Sequence, residues 1–216
     1  MPPPDDNSAT PSPGQLFAGR EFSRDEAAGT VTSPAGERVV FAGDGFSRAL
    51  RHVLEAEKPG TWSATLARSG SGCGRQLAVS LDRELARLGQ PALDAIPLES
   101  CLGFIEHYFA THGLGLLTSD LSDAADHGLV VARLTRGYFP EILPHADGLV
   151  DALPAGLLQG FFEHVSGQTL GCLEIACAHL GVPHCTFVIA TSDRLDPVAP
   201  LAGRESAEAI LAQLRT

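Results

Sequence analysis

The chain has 216 residues, of which 44% are hydrophobic, and its formal net charge at pH 7 is -11. This length and composition suit one globular domain. Proteins that bind nucleic acid need clustered Lys and Arg to neutralise phosphates, so this acidic chain is expected to have no nucleic-acid partner. No apolar run approaches the roughly 18–20 residues that span a bilayer, and we predict no transmembrane segment.

The amino-terminal stretch MPPPDDNSATPSPG contains five prolines and lacks the basic and apolar regions of a signal peptide. Such a composition buries too little apolar surface to offset the entropy lost on ordering. We therefore predict a disordered tail over 1–14 and a cytoplasmic protein. In a reducing compartment, its five cysteines are expected to bind metal or lie buried rather than form disulfides.

The next part of the chain changes from strand to helix patterns. Short apolar pieces broken by Gly and Pro predict a strand and loop segment over 15–43, with TVTS and ERVVFAG as strands around the turn at Pro34. From Asp44, apolar residues recur at helical spacing as far as Pro59. Two more helical pieces are predicted within 61–89, separated by SGSGCG. This glycine-rich run follows a helix, so it lacks the strand context of a dinucleotide-binding loop.

Strand patterns appear in the middle of the chain after one further helix. Leu102, Ile105 and Phe109 lie at helical spacing and predict a helix that Gly113 ends. The segments LGLLTSDLS and GLVVARLTR then predict an antiparallel pair of strands joined by a turn.

The carboxy-terminal part predicts a helix, a hairpin and a closing helix. The first helix covers 154–164 and ends at Gly167, and the last one covers 205–215. Between them, TLGCLEIAC and HCTFVIATS predict strands joined by the AHLGVP turn. The expected fold class is α+β, with an antiparallel sheet packed with helices in a single domain over 44–216.

The stretch EIACAHLGVPHC places a carboxylate, two thiols and two imidazoles within twelve residues. A hairpin would bring Glu174, Cys177 and Cys185 together, and thiolate and carboxylate ligands suit tetrahedral zinc. Several side chains could supply a fourth ligand, namely Asp151, Cys172, His179 and His184. The alternative interpretation is that the two cysteines are simply small buried residues, which is common for free Cys.

The run GFFEHVSGQTLGCLEIACAHLGVPHCTFVIA, over 160–190, resembles the signature of the 4-vinyl reductase domain family. Members that sense phenols bind zinc through a Glu and two cysteines of this pattern, which implies Glu174, Cys177 and Cys185 as ligands here. Those sensors add an upstream Cys, whereas this chain has DGLVDALP, in which Asp151 is the nearest substitute. The resemblance thus implies a zinc-binding hairpin near the carboxy terminus.

The segment LSDAADHGLVVARL, together with the run above, is similar to the bacteriochlorophyll-pathway branch of this family, with the signature over 120–192. The resemblance implies a protein that binds a divinyl magnesium porphyrin or protochlorophyllide and acts as a carrier or accessory factor for the enzymes of bacteriochlorophyll synthesis. Whether such a chain forms a homodimer is left open.

A tetrapyrrole ligand would need an apolar pocket and a donor for its magnesium. Aromatic side chains that could line the pocket are Phe104, Tyr108, Phe109, Tyr138, Phe139, Phe161 and Phe162. Neutral His is a suitable magnesium donor, and the candidates are His107, His127 and His164. The alternative for each of these residues is an ordinary position in the core or on the surface.

Two other functions remain open from the sequence. The chain could be the reductase that the family name describes, although hydride transfer needs a redox cofactor and the sequence has no GxGxxG between a strand and a helix. It could also be a sensor domain for a small aromatic effector, as in the phenol sensors.

Overall fold

Two antiparallel sheets and a layer of packed helices make up the structure. The computed structural model describes residues 10–12, 16, 21–34 and 36–216. Most of the predicted tail, namely residues 1–9, 13 and 14, lies outside this described part of the chain. Among the residues described, no helix is both long enough and apolar enough to cross a bilayer.

The α-helices of the described residues are α1 (Asp44–Glu57), α2 (Thr61–Arg87), α3 (Leu98–Thr111), α4 (Ala124–His127), α5 (Tyr138–Ile142), α6 (Ala152–Ser166), α7 (Ser192–Leu195) and α8 (Ala207–Leu214). Short 3₁₀ turns lie at Leu93–Ala95, Ala178–Leu180 and Ala199–Leu201. The helix that we predicted to end at Gly167 does so, because Gly167 adopts the left-handed conformation that ends many helices.

The strands are β1 (Ser23–Asp25), β2 (Thr30–Thr32), β3 (Arg38–Val39), β4 (Leu116–Asp120), β5 (Val130–Thr135), β6 (Gly171–Ala176) and β7 (Cys185–Ala190). The first three form a small antiparallel sheet, and the other four form a larger one in the order β4-β5-β7-β6. Every neighbouring pair in the larger sheet is antiparallel. The predicted mixture of helices with an antiparallel sheet is therefore confirmed.

Strand β7 of the larger sheet is buried on both faces. On one face, Phe187 joins a cluster that includes Phe104 of α3 and Phe161 of α6. On the other face, Val188 packs in a smaller cluster with Ile210 of α8. Complete burial of each such side chain contributes about 1.5–3 kcal/mol to folding. The two apolar clusters hold the hairpin of β6 and β7 between layers of helix.

The prediction of two helical pieces within 61–89 is wrong, because α2 runs unbroken from Thr61 to Arg87. Gly70 and Gly74 lie within it, where their missing side chains allow close contact with α6. A Cβ atom at Gly74 would lie 2.1 Å from the backbone oxygen of Leu157, and one at Gly160 would lie 2.0 Å from that of Ser71. Tertiary packing thus outweighs the low helix propensity of glycine.

The small amino-terminal sheet lies against α2 and the end of α3. Glu37, just before β3, accepts a hydrogen bond through Oε1 from Ser80 Oγ of α2 at 3.0 Å. The ring of Phe22, just before β1, makes an edge contact with the ring of His112 at a centroid distance of 5.3 Å. This sheet therefore covers one side of the helical layer.

Candidate functional site

The hairpin of β6 and β7 brings together the three residues that the sequence placed at its tip. The register is irregular between Glu174 and Ala176, so the end of β6 departs from regular pairing. Cys177 follows β6, Cys185 begins β7, and their Sγ atoms lie 3.6 Å apart. Gly181 in the connecting turn has a positive φ of 91°, a conformation that glycine adopts without strain.

Asp151 joins this group from the residue that precedes α6. One ligand atom from each of Asp151, Glu174, Cys177 and Cys185 can be chosen so that all four lie within 4.8 Å of one another. The backbone N–H of Asp151 donates to Glu174 Oε2 at 2.9 Å, and Asp151 Oδ2 lies 4.0 Å from Cys177 Sγ. We call these four residues the acidic-thiol cluster.

The acidic-thiol cluster is buried and only partly hydrogen-bonded. The exposed fraction is 6% for Glu174 and zero for Asp151 and both cysteines. Asp151 Oδ1 and Glu174 Oε1 are buried side-chain oxygens that find no hydrogen-bond partner among the described residues. Buried polar atoms normally have partners, so these two oxygens are free to bind a further group.

The protonation behaviour of the cluster follows from its burial. Loss of hydration raises the pKa of Asp151 to about 7. Loss of hydration, together with the charges of Asp151 and Cys177, raises the pKa of Glu174 to about 11. The hydrogen bond from Cys185 lowers the pKa of Cys177 to about 5, and the same contact raises the pKa of Cys185. A bound cation would offset this crowding of negative charge and hold all four groups deprotonated.

The other proposed fourth ligands lie outside the set of four. His179 Nε2 lies 3.2 Å from the carbonyl oxygen of Ala146, which can only accept, so Nε2 carries the proton. Its Nδ1 lies 3.1 Å from Cys177 Sγ. His179 is thus placed to orient the thiol of Cys177.

A cavity of about 150 Å³ lies between the small sheet, α2 and α3. Three residues that the sequence proposed for ligand binding line it, namely Phe104, His107 and Tyr108. Cys73 of α2 also lines the cavity and is itself exposed. Burial raises the pKa of Tyr108 to about 12, so its hydroxyl remains a hydrogen-bond donor at neutral pH.

Aromatic side chains lie next to the cavity, on the side that His112 lines. Phe22 contacts the ring of His112 and lies 6.0 Å, centroid to centroid, from the ring of Phe41. The side chain of Phe41 is 60% exposed. The Arg24 guanidinium lies over the Phe41 ring, with Cζ 5.2 Å from its centroid. We call Phe22, Arg24 and Phe41 the aromatic rim.

His112 also lines the cavity and was missed by the sequence reasoning. Its ring stacks on that of Tyr108, with centroids 3.8 Å apart and an angle of 23° between the planes. The four-residue spacing from Tyr108 could have pointed to this contact, because residues at i and i+4 lie on one helix face. His112 directly follows α3, at a position where the sequence pattern indicates only the end of a helix.

The other residues proposed for ligand binding lie elsewhere. Phe161 and Phe162 are buried in the helical layer. His164 Nε2 lies 2.6 Å from Asp82 Oδ2, which ties α6 to α2.

Three more of these residues lie near α4 and α5, also away from the cavity. The hydroxyl of Tyr138 lies 3.1 Å from Ser47 Oγ, Phe139 makes an edge contact with Trp62, and His127 ends α4. Phe109, the remaining candidate, is fully buried in the core. Of the ten residues that we predicted, the structure brings only Phe104, His107 and Tyr108 to this cavity.

Comparison with known proteins gives a family match and similar solved structures. Residues 141–191 match the 4-vinyl reductase domain. The phenol-responsive sensory domain of the transcription activator PoxR, in complex with phenol, has a TM-score of 0.65 and 17% identity, and the match covers 96% of this chain and 99% of that one. No curated protein sequence matches this chain significantly. Part of the chain is therefore similar to the 4-vinyl reductase domain, and the chain has the fold of the phenol-responsive sensory domain.

Two more solved structures are similar to this chain at lower scores. A vinyl-4-reductase family protein from Methanocaldococcus jannaschii has a TM-score of 0.48 and 14% identity, and the match covers 72% of this chain and 85% of that one. A trafficking protein particle complex subunit 3 from Naegleria fowleri, covalently bound to palmitic acid, has a TM-score of 0.48 and 12% identity, covering 68% and 91%.

Proposed function

We propose that this chain binds a magnesium tetrapyrrole of bacteriochlorophyll synthesis, of the divinyl porphyrin or protochlorophyllide type, and passes it between the enzymes of that pathway. The similarity of 120–192 to the bacteriochlorophyll-pathway branch supports the choice of ligand. The family match over 141–191 supports the domain family alone. The observation that carries the proposal is the cavity on α3 together with its aromatic rim.

The size of the cavity determines how such a ligand would bind. A volume of about 150 Å³ suits a single aromatic ring, since an apolar cavity of that size holds benzene. A four-ring macrocycle would therefore place one edge inside and rest the remainder on Phe22 and Phe41. Arg24 at this rim supplies a positive charge for a carboxylate substituent. Because most of the pigment stays accessible in this arrangement, it suits a protein that hands its ligand on.

We further propose that the acidic-thiol cluster binds zinc as a structural ion. Two thiolates and two carboxylates provide four ligands, which is the number that closes a tetrahedral structural site. The two buried oxygens without a hydrogen-bond partner among the described residues, Asp151 Oδ1 and Glu174 Oε1, support a cation at this position. The ion would join the β6–β7 hairpin to the start of α6 and so stabilise the sheet that supports the binding helices.

A cavity-filling substitution tests the ligand proposal. Cys73→Trp places a large ring at the cavity without altering the core, because Cys73 is exposed on α2. We expect wild-type protein to shift the Soret band of a divinyl magnesium tetrapyrrole and Cys73→Trp to bind it at least about tenfold more weakly. Ser69→Trp, also exposed on α2, is the matched control and should bind normally. Absence of any spectral shift with wild-type protein would refute the proposal.

A second candidate is a binding domain for a small aromatic effector. The specific observation in its favour is the cavity volume, which matches one ring such as that of phenol. A calorimetric titration of the protein with phenol separates the two candidates. Saturable phenol binding that Cys73→Trp abolishes, without any tetrapyrrole binding, would favour the small effector.

A further inference from the structure

The two thiols of the acidic-thiol cluster lie opposite each other across the β6–β7 hairpin. Ala176 pairs with Thr186 in the ladder, so the next position outward places Cys177 opposite Cys185. Opposed residues of antiparallel strands have Cα atoms about 4.5–5.5 Å apart, which is within the range of about 4.4–6.8 Å that a disulfide spans. The strands therefore hold the two cysteines at the spacing that a disulfide needs.

Their sulfur atoms also lie close together and are held by contacts within the hairpin. The Sγ atoms are 3.6 Å apart, whereas bonded sulfurs lie about 2.05 Å apart. The backbone N–H of Ala178 donates to Cys185 Sγ at 3.2 Å, and His179 Nδ1 lies 3.1 Å from Cys177 Sγ. Because both contacts come from the turn that joins the strands, the sulfurs stay adjacent without a bound ion, and small side-chain rotations would bring them to bonding distance.

A groove on the surface leads to this pair of thiols. It has a volume of about 380 Å³ and lies between the hairpin turn and α8, with Leu180, His184 and Glu208 among its lining residues. Cys177 also lines the groove, although its side chain is fully buried. A small uncharged oxidant such as hydrogen peroxide fits this groove and has to pass only the wall to which Cys177 belongs.

We infer that Cys177 and Cys185 form a reversible thiol–disulfide switch, which releases the metal of the acidic-thiol cluster on oxidation by a peroxide. This inference rests on the proposed zinc site and goes beyond it, because it makes occupancy of the site depend on the redox state of the chain. Hydrogen peroxide takes two electrons from the two sulfurs, so its O–O bond breaks, the S–S bond forms and both oxygens leave as water. The two thiols supply the hydrogens for this water, or solvent supplies them as protons when both sulfurs are thiolates.

A disulfide removes two of the four ligands, because the thiolate is the form of Cys that binds metal. Asp151 and Glu174 would remain, which is half the number that closes a tetrahedral structural site. Release of the ion would break the link between the hairpin and the start of α6. In a reducing compartment the site would therefore stay filled, and a transient disulfide would empty it.

Peroxide treatment of the zinc-loaded protein tests the switch. Hydrogen peroxide should release one zinc ion, detected with a chromogenic chelator, for each disulfide that peptide mapping without reduction locates between Cys177 and Cys185. Dithiothreitol and added zinc should then restore both the free thiols and the bound metal. Protein stripped of metal by a chelator should form the same disulfide. Cys73→Ser is the matched control, because it removes an exposed thiol and should release zinc as wild-type protein does.

Several outcomes would overturn the switch. These are loss of zinc while both cysteines remain reduced, a disulfide that joins one of them to Cys172 instead, and oxidation that dithiothreitol does not reverse. Zinc that binds the reduced protein and stays bound after peroxide treatment would overturn the switch alone. Reduced protein that binds no zinc would overturn the proposed structural ion as well, so the two failures are distinguishable.

Discussion

Asp151 and Glu174 are carboxylates that the fold removes from water beside two thiols. Burying a charged group without a partner is costly, and the two oxygens that find no partner among the described residues show that hydrogen bonds within this part of the protein do not fully compensate for it. Protonation would remove the negative charge, and the raised pKa values of both carboxyl groups agree with this. A bound divalent cation would instead balance the charge, and only a cation would use all four ligand atoms.

Replacing a thiol of the acidic-thiol cluster tests the metal at the residue scale. We expect Cys177→Ser or Cys185→Ser to release the metal and to lower the free energy of unfolding by about 2–4 kcal/mol. Metal analysis of the purified protein and urea unfolding, each with and without a chelator, measure the two effects.

Cys73→Ser is the matched control for these two variants, because Cys73 is exposed and far along the sequence from the hairpin. It should retain the metal and the wild-type stability. Equal stability of wild-type protein before and after chelation would contradict a structural role for the ion.

At the scale of elements, the contact between α2 and α6 depends on glycines. Gly70 and Gly74 on α2 face α6, and Gly156 and Gly160 on α6 face α2, so the two backbones approach more closely than side chains would allow. Helix propensity alone would disfavour this composition. The close approach holds α2, and with it one wall of the cavity, against the helix that begins next to the acidic-thiol cluster.

Gly74→Ala should destabilise the protein by about 1–3 kcal/mol or more, because its Cβ would lie 2.1 Å from the Leu157 carbonyl oxygen and the helices must separate. Gly72→Ala provides the control within the same helix. It meets nothing within 4 Å and should stabilise the protein by about 0.5–1 kcal/mol through higher helix propensity. Thermal unfolding of the two variants gives both values, and equal destabilisation would show that the contact is not the cause.

Sequence patterns predicted the parts of this fold that depend on residues close together in the sequence. The strand patterns of TLGCLEIAC and HCTFVIATS and the AHLGVP turn between them were enough to bring Glu174 and the two cysteines together. The continuity of α2 was not predictable in this way, because it depends on contacts with α6, a helix that lies far along the chain. Phe161 and Phe162 were assigned to a pocket because hydrophobicity alone does not separate a pocket wall from a core.

At the scale of the whole molecule, the chain has two separate features. A metal ion in the acidic-thiol cluster would stabilise the larger sheet, and the cavity lies between α2, α3 and the small sheet. No residue of the acidic-thiol cluster lines that cavity, so the ion would support the fold rather than contact the ligand.

The most direct test of the central claim is the fate of the bound pigment. Purified protein would be incubated with divinyl magnesium tetrapyrrole, with and without reduced nicotinamide, and the extracted pigment would be separated by chromatography. A shifted Soret band together with recovery of the divinyl pigment under both conditions is the result that we predict for a carrier. Recovery of the monovinyl product would contradict this account and identify the chain as a reductase.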